Sequence, residues 1–219
     1  SEITTEGLST RFTVKHEGES LGEVTIQLPG RHNVSNALGA IGAALSINVS
    51  WNAIQEGIAG FKGVRRRFEL MGEVDGVTIV NDYAHHPTEV EKTILAARAV
   101  WDGRVVAVFQ PHLYTRTRDF AGAFSEALSH ADVCWMTDIY PAREEPIPGI
   151  TGRSIADGIP GCRYEGELSK LGEAVMAEAE AGDLVLVMGA GSVESVAEEM
   201  SGRAGEGESG GQTNLYGKV

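Results

Sequence analysis

An α/β fold, with a mostly parallel sheet and flanking helices, is predicted for this 219-residue chain by three observations. From Glu69 onward, apolar β-branched runs alternate with segments of helical spacing, the pattern of βαβ units. Two of the runs, RVVAVFQ and DLVLVMGAG, are almost unbroken apolar stretches, as expected of strands buried on both faces. The 28 glycines are about 13% of the chain against a usual ~7%, and most punctuate strand-to-helix turns.

Residues 8–28 alternate and are rich in β-branched residues, which predicts a hairpin or two meander strands. HNVSNALGAIGAALS places Val34, Leu38, Ile41 and Leu45 at helical spacing, and a second short helix follows from Trp51 to about Ala59. FKGVRRRFE breaks the pattern, so a domain boundary is expected between residues 68 and 69. Beyond it, GVTIVNDYA is a strand and PTEVEKTILAARAVW a helix with Val90, Ile94, Ala97 and Trp101 on one face. RVVAVFQ is the next strand, and TRDFAGAFSEALSHA a helix with Phe120, Phe124 and Ala127 inward. ADVCWMTDIY is a third strand, followed by the Pro-rich loop PAREEPIPG. A weaker helix, strand and helix lead to DLVLVMGAG and a closing helix with Val193, Val196 and Met200. Residues 201–219 hold six glycines without periodicity and read as a flexible tail.

Eighteen Lys and Arg against 31 Asp and Glu give a net charge of −13, which argues against general affinity for nucleic acid or anionic membrane. No apolar run reaches the ~18–20 residues of a membrane span, and no signal peptide opens the chain. Two cysteines, Cys134 and Cys162, can supply neither a zinc quartet nor a secreted disulfide scaffold, so a cytosolic protein is expected.

Right-handed crossovers bring all parallel-strand C-termini to one edge, where such folds bind ligands. The segments at that edge are NDYAHHPTE (81–89), QPHLYTRT (110–117), DIYPAREE (138–145) and GAGS (189–192), three of them dense in His, Arg, Tyr, Asp and Glu. In the first, Pro87 suits a first helical position and Thr88 with Glu91 could form a capping box. Asp82 and the histidines either cap that helix or serve a ligand. Adjacent histidines diverge and no third ligand follows closely, so no metal is assigned to them. In the second, Arg116 and Arg118 at a helix N-terminus oppose its dipole unless an anion joins them, which favours a bound carboxylate or phosphate. His85 and His112 are expected to follow neighbouring strands and to converge there with Arg116. Arg65-Arg66-Arg67 is either a solvated charge run or a phosphate contact at a hinge. Asn33 and Asn36, one helical turn apart, are caps or readers of a base edge. GAGS lacks the third glycine of a dinucleotide fingerprint and reads as a tight βα turn, which weakens an NAD-dependent alternative. No G-x-x-x-x-G-K-[ST] occurs in these residues, so the P-loop manner of holding nucleotide phosphates is not available within them.

GRHNVSNALGA, FKGVRRRFE, NDYAHHPTEV, VFQPHLYTRT, DIYPAREEPIPG and LVLVMGAG, in this order over residues 28 to about 200, resemble the Mur ligases. The resemblance implies a Rossmann-like C-terminal domain over 69–200, preceded over 1–68 by the end of a central ATPase domain whose P-loop and principal magnesium ligands lie outside these residues. It implies an ATP- and Mg2+-dependent amide ligase of peptidoglycan precursor synthesis in the cytoplasm. Its reaction would activate the carboxylate of UDP-N-acetylmuramate as an acyl phosphate, which the amine of L-alanine then attacks. By the same resemblance Asn33, Asn36, Arg67 and Asp82 would bind ATP, and Tyr83, His85, His112 and Arg116 the substrate or product. No catalytic side chain and no metal ligand are assigned within the chain, and the fragment is expected to be inactive without the P-loop half. A murein peptide ligase, a folylpolyglutamate synthase and a non-catalytic nucleotide- or muramyl-binding module stand as alternatives.

Overall fold

The computed structural model describes residues 3–61 and 63–202. Most of the Gly-rich segment 201–219 lies outside the described residues. The chain divides into two compact units, one of residues up to Arg65 with Leu95–Asp102, the other of Arg66–Ile94 with residues from Gly103 on. The division falls inside the arginine triplet.

In the first unit β1 (Ile3–Glu6), β2 (Ser9–His16) and β3 (Glu19–Ile26) form an antiparallel meander. Helices α1 (Arg31–Ser46) and α2 (Trp51–Gly60) belong to the same unit. Phe12, Val14, Val24 and Ile26 point to one face at period two and share a core with Val34, Ala37, Ile41 and Ile54. Ser50 caps α2 by accepting a hydrogen bond from the Ala53 N–H at 3.4 Å. Leu38, expected on the inner face of α1, is instead 43% exposed, and Ala37 takes the buried position. The apolar stripe follows 34, 37 and 41, and the i, i+4 step from Val34 to Leu38 leaves it.

The second unit carries a six-stranded sheet in the order β4-β5-β9-β6-β7-β8. Its strands are β4 (Glu69–Val74), β5 (Val77–Asp82), β6 (Val105–Phe109), β7 (Val133–Met136), β8 (Arg163–Tyr164) and β9 (Leu184–Met188). All pairings are parallel except β4 with β5, an antiparallel hairpin with a bulge at Leu70/Gly72 that the strand–helix pattern did not reveal. The helices are α3 (Pro87–Arg98), α4 (Tyr114–Leu128), α5 (Arg153–Ala156), α6 (Leu168–Glu178) and α7 (Glu194–Met200). Val77, Ile79, Val106, Val108, Trp135, Val185 and Val187 alternate onto one sheet face. There they pack with Leu171 and Val175 of α6 and with Val196, Ala197 and Met200 of α7. Central β9 is buried at every residue, which explains its unbroken apolar run. No helix among the described residues is long and apolar enough to cross a membrane.

Three expectations are corrected. Strand β9 lies between β5 and β6, so His85 and His112 follow strands two positions apart, not neighbours. Helix α4 begins at Tyr114, three residues earlier than its pattern suggested, and Phe120 within it is non-helical (φ −121°, ψ 15°) and 41% exposed instead of inward. The carboxylate that caps α3 is Glu89, which accepts from the N–H groups of His85 (3.1 Å) and His86 (3.2 Å). Glu91 instead lies 3.7 Å from His130.

Candidate functional site

The loops after β5, β9, β6 and β7 meet along one edge of the sheet, and the polar residues singled out in the sequence gather there. At the end of β5, Asp82 is buried, with one carboxylate oxygen accepting from Phe68 N–H and the other from Ala84 N–H, both at 2.7 Å. Burial raises its pKa by disfavouring the charged carboxylate, while the two N–H groups and the charge of Arg67 oppose the shift; the net direction is upward from 3.8. Each oxygen keeps a further lone pair, so Asp82 can hold the segment 66–68 and still accept a hydroxyl. Tyr83 N–H donates to Arg66 C=O at 2.7 Å, a second link between that segment and β5.

Arg66 turns inward with φ 57°. Its Nη2 donates to Gly189 C=O (2.6 Å) and Gly191 C=O (3.2 Å), its Nη1 lies 3.1 Å from Glu194, and its guanidinium covers the Tyr83 ring at 4.6 Å. Arg67 is exposed and stands 5.8 Å from the centre of the same ring. Among the described residues it has no hydrogen-bond or ion-pair partner, so its donors remain open to an anion.

His85 and His112 approach edge to face with ring centroids 6.0 Å apart. A 2.8 Å contact between His85 Nδ1 and Tyr83 C=O assigns the proton of a neutral ring to Nδ1 and leaves Nε2 as an acceptor. His86 diverges from this group and packs against Phe120 at 5.3 Å. His112 stacks on Tyr140 at 5.6 Å, in a loop joined to the β7 loop by Leu113 N–H to Tyr140 C=O (3.0 Å) and Tyr140 N–H to Pro111 C=O (2.8 Å). Leu113 precedes α4 with φ 73°, an unusual conformation for a bulky residue that this pairing imposes. Arg116, in the first turn of α4, donates to His85 C=O at 3.3 Å and has no ion-pair partner among the described residues. Burial, Arg116 and His85 together push the His112 imidazole below its usual 6.5. His112 Nδ1 is buried and has no hydrogen-bond partner among the described residues. A half-buried guanidinium and two imidazoles with spare hydrogen-bonding capacity suit a carboxylate.

Glu144, from the Pro-rich loop, accepts from the N–H and hydroxyl of Thr115, which hold its carboxyl below the usual range. It thereby caps α4 next to Arg116. On the far wall, Gln110 accepts from Val193 N–H at 3.0 Å and donates to Ser192 Oγ at 3.3 Å. That amide covers the start of α7, where a dinucleotide pyrophosphate would otherwise be received. Gly189 (φ 151°) and Gly191 permit this close packing.

The structure therefore brings Asp82, Tyr83, Arg67, His85, His112 and Arg116 to one edge. Asn33 and Asn36 lie on α1 in the other unit: Asn33 Nδ2 donates to Pro29 C=O at 2.8 Å, and Asn36 is exposed. Sequence reasoning named Arg66 only within the arginine triplet and missed Gln110, Glu89, Tyr140 and Glu144 as site residues. The only signal of these four was position, each beside or within a polar loop at a strand end.

Residues 66–191 match the family described as Mur ligase, glutamate ligase domain. The chain belongs to the Mur ligase family. It is 41% identical over 205 residues to UDP-N-acetylmuramate--L-alanine ligase of Geotalea daltonii, covering 91% of this chain and 45% of that protein. It is 48% identical over 180 residues to the ligase of the same name from Mycolicibacterium gilvum, covering 80% and 38%. The chain thus spans less than half the length of these curated relatives. The crystal structure of UDP-N-acetylmuramate-alanine ligase from Thermotoga maritima shares the fold, with a TM-score of 0.78 at 24% identity over 92% of this chain and 44% of that one.

In this Mur ligase domain the depressed His112 gives a pH prediction. Folding favours the neutral imidazole, so its stabilising contribution is present above the ordinary value of 6.5 and is lost as pH falls through the lower folded value. The thermal midpoint of the wild type minus that of His112→Gln should therefore shrink from about pH 7.5 to about 5.5. A bound anion favours the imidazolium and should reverse the sign, so carboxylate affinity should rise as pH falls over the same window. A pH-independent difference would remove His112 from the titrating group.

Proposed function

We propose that this chain is the C-terminal part of an ATP-dependent ligase that joins L-alanine to UDP-N-acetylmuramate in peptidoglycan precursor synthesis in the cytoplasm. Residues 1–68 would close the central ATPase domain, and 69–200 would form the acceptor-binding domain. The observation that carries the reading is Arg116, an anion-seeking side chain without an ion-pair partner among the described residues, beside His85 and His112 at the C-terminal edge of the sheet. Identity above 40% to ligases named for this substrate pair supports the choice among Mur ligases.

In the proposed reaction the γ-phosphoryl group of ATP passes to the substrate carboxylate, giving ADP and an acyl phosphate. The L-alanine nitrogen then forms a bond to the acyl carbon, loses a proton, and phosphate leaves. ATP binding fits two features of this chain: Arg67 has open donors for a phosphate, and Asp82 has lone pairs for ribose hydroxyls. Asn33 and Asn36 would read the adenine edge; Asn33 donates to Pro29 but keeps its carbonyl oxygen as an acceptor. His85, His112 and Arg116 would hold the carboxylate, with Tyr83 lining the pocket. Magnesium would neutralise phosphate charge on ligands supplied mainly outside these residues. Chemistry of this kind rests on positioning and charge stabilisation, which matches a site built without a dedicated nucleophile.

The chain alone, having no P-loop lysine, should release no phosphate with ATP, UDP-N-acetylmuramate and L-alanine. Joined to the P-loop half of a curated relative, it should restore L-alanine-dependent phosphate release. Turnover with a murein tripeptide but not with L-alanine would transfer the assignment to a murein peptide ligase. No turnover, with nucleotide or muramyl binding retained, would leave a binding module.

A further inference from the structure

The two cysteines lie away from this edge, on the outermost parallel pair of the sheet. Strands β7 and β8 pair Trp135 with Arg163 and Met136 with Tyr164, so Cys134 within β7 and Cys162, the residue just before β8, each stand one residue back from the first pair. Residues paired across neighbouring strands stand about 4.8 Å apart, inside the ~4.4–6.8 Å Cα span that a disulfide bridges. Val133 and Trp135 face α6 and α7, and Cys134 points to the opposite side of the sheet. Both cysteines are free thiols, and each is the foremost influence on the other's titration. Cys134 is buried, while Cys162 is partly exposed, its Sγ 3.4 Å from Arg163 C=O.

We propose that Cys134 and Cys162 form a reversible dithiol–disulfide pair, with Cys162 as the attacking sulfur and Cys134 as the resolving one. The oxidant is a low-molecular-weight disulfide such as oxidised glutathione. Cys162, as the thiolate, bonds to one glutathione sulfur and expels the other glutathione as thiolate. Cys134 then gives its proton to that thiolate or to solvent, bonds to Cys162 and expels the second glutathione. Two electrons pass from the protein dithiol to the small disulfide, which leaves as two thiols. The roles follow from access and environment. The Cys134 thiol and the Arg163 charge hold the Cys162 thiol below its ordinary value against partial burial and Asp157, whereas the Cys162 sulfur and deeper burial push Cys134 up.

The bond would close a loop that contains Tyr140, stacked on His112, and Glu144, which caps α4 at Thr115. Oxidation would thus restrain the segment that walls the anion site. The dithiol itself rests on strand pairing and is independent of the proposed reaction.

The test treats the reduced 219-residue chain with oxidised glutathione, alkylates remaining thiols and analyses a non-reduced tryptic digest by mass spectrometry. Cleavage at Arg143 or Arg153 separates the cysteines, so an internal disulfide reads as two joined peptides lacking two hydrogens. The expected product is that pair without glutathione, converted back by dithiothreitol. In Cys134→Ser, or Cys134→Ala should the buried hydroxyl prevent folding, glutathione should instead remain on Cys162. Wild-type chain that keeps glutathione on Cys162, links only between molecules, or reacts at neither cysteine would overturn the proposal.

Discussion

Gly191→Ala is expected to lower the thermal midpoint by roughly 5–10 °C, the result of about 2–3 kcal/mol of overpacking in a domain of this size. A methyl group added at Gly191 would overlap Tyr140 Cγ and come within 2.6 Å of Gln110 Oε1. Neither neighbour can yield cheaply. Tyr140 is held by backbone bonds to Pro111 and Leu113 and stacks on His112, and Gln110 Oε1 accepts from Val193 N–H. The substitution must therefore displace the β7 loop or break the cover over α7. Gly122→Ala is the matched control: it adds the same methyl group on α4 with no heavy atom within 4 Å, and should be neutral or stabilising by up to ~1 kcal/mol. Equal midpoints for the two variants in thermal unfolding would show that the GAGS turn has room the geometry denies.

In the assembled ligase proposed above, Arg116→Ala should weaken the muramyl substrate or product about tenfold or more while leaving ATP affinity little changed. A charge-assisted hydrogen bond is worth roughly 1.5–3 kcal/mol, and tenfold corresponds to about 1.4. The loss should approach the upper figure if both guanidinium nitrogens reach the carboxylate. Arg116→Lys should recover only part of it, because an ammonium cannot reproduce the planar fork. Among the described residues Arg116 donates one bond, to His85 C=O at 3.3 Å, so its removal should shift the thermal midpoint little. Titration calorimetry with each ligand separates the outcomes: normal acceptor binding, or weakened ATP binding instead, would remove Arg116 from the acceptor site.

The clustering of Asp82, Tyr83, His85, His112 and Arg116 was legible because two regularities of parallel α/β sheets suffice to find it. Buried strands read as apolar runs, and their C-terminal loops share an edge. The converging residues could be named even though the strand order was wrong. Histidines on strands two positions apart still reach each other, since the intervening β9 ends in the small GAGS turn.

Local chemistry in the sequence determined the βα alternation, the inward faces of most helices, Pro87 at the start of α3 and the group of side chains at the strand ends. Tertiary structure alone decided the sheet order, the pairing of β4 with β5, and which of several equivalent polar residues does which work. Nothing in RRR distinguishes Arg66, folded under at φ 57° onto the carbonyls of Gly189 and Gly191, from exposed Arg67. Nothing local separates Glu89 from Glu91 as the cap of α3, or marks Gln110 as the cover of α7. Those choices depend on partners more than 80 residues away or on the angle at which a chain leaves its strand, and side-chain type and spacing carry neither.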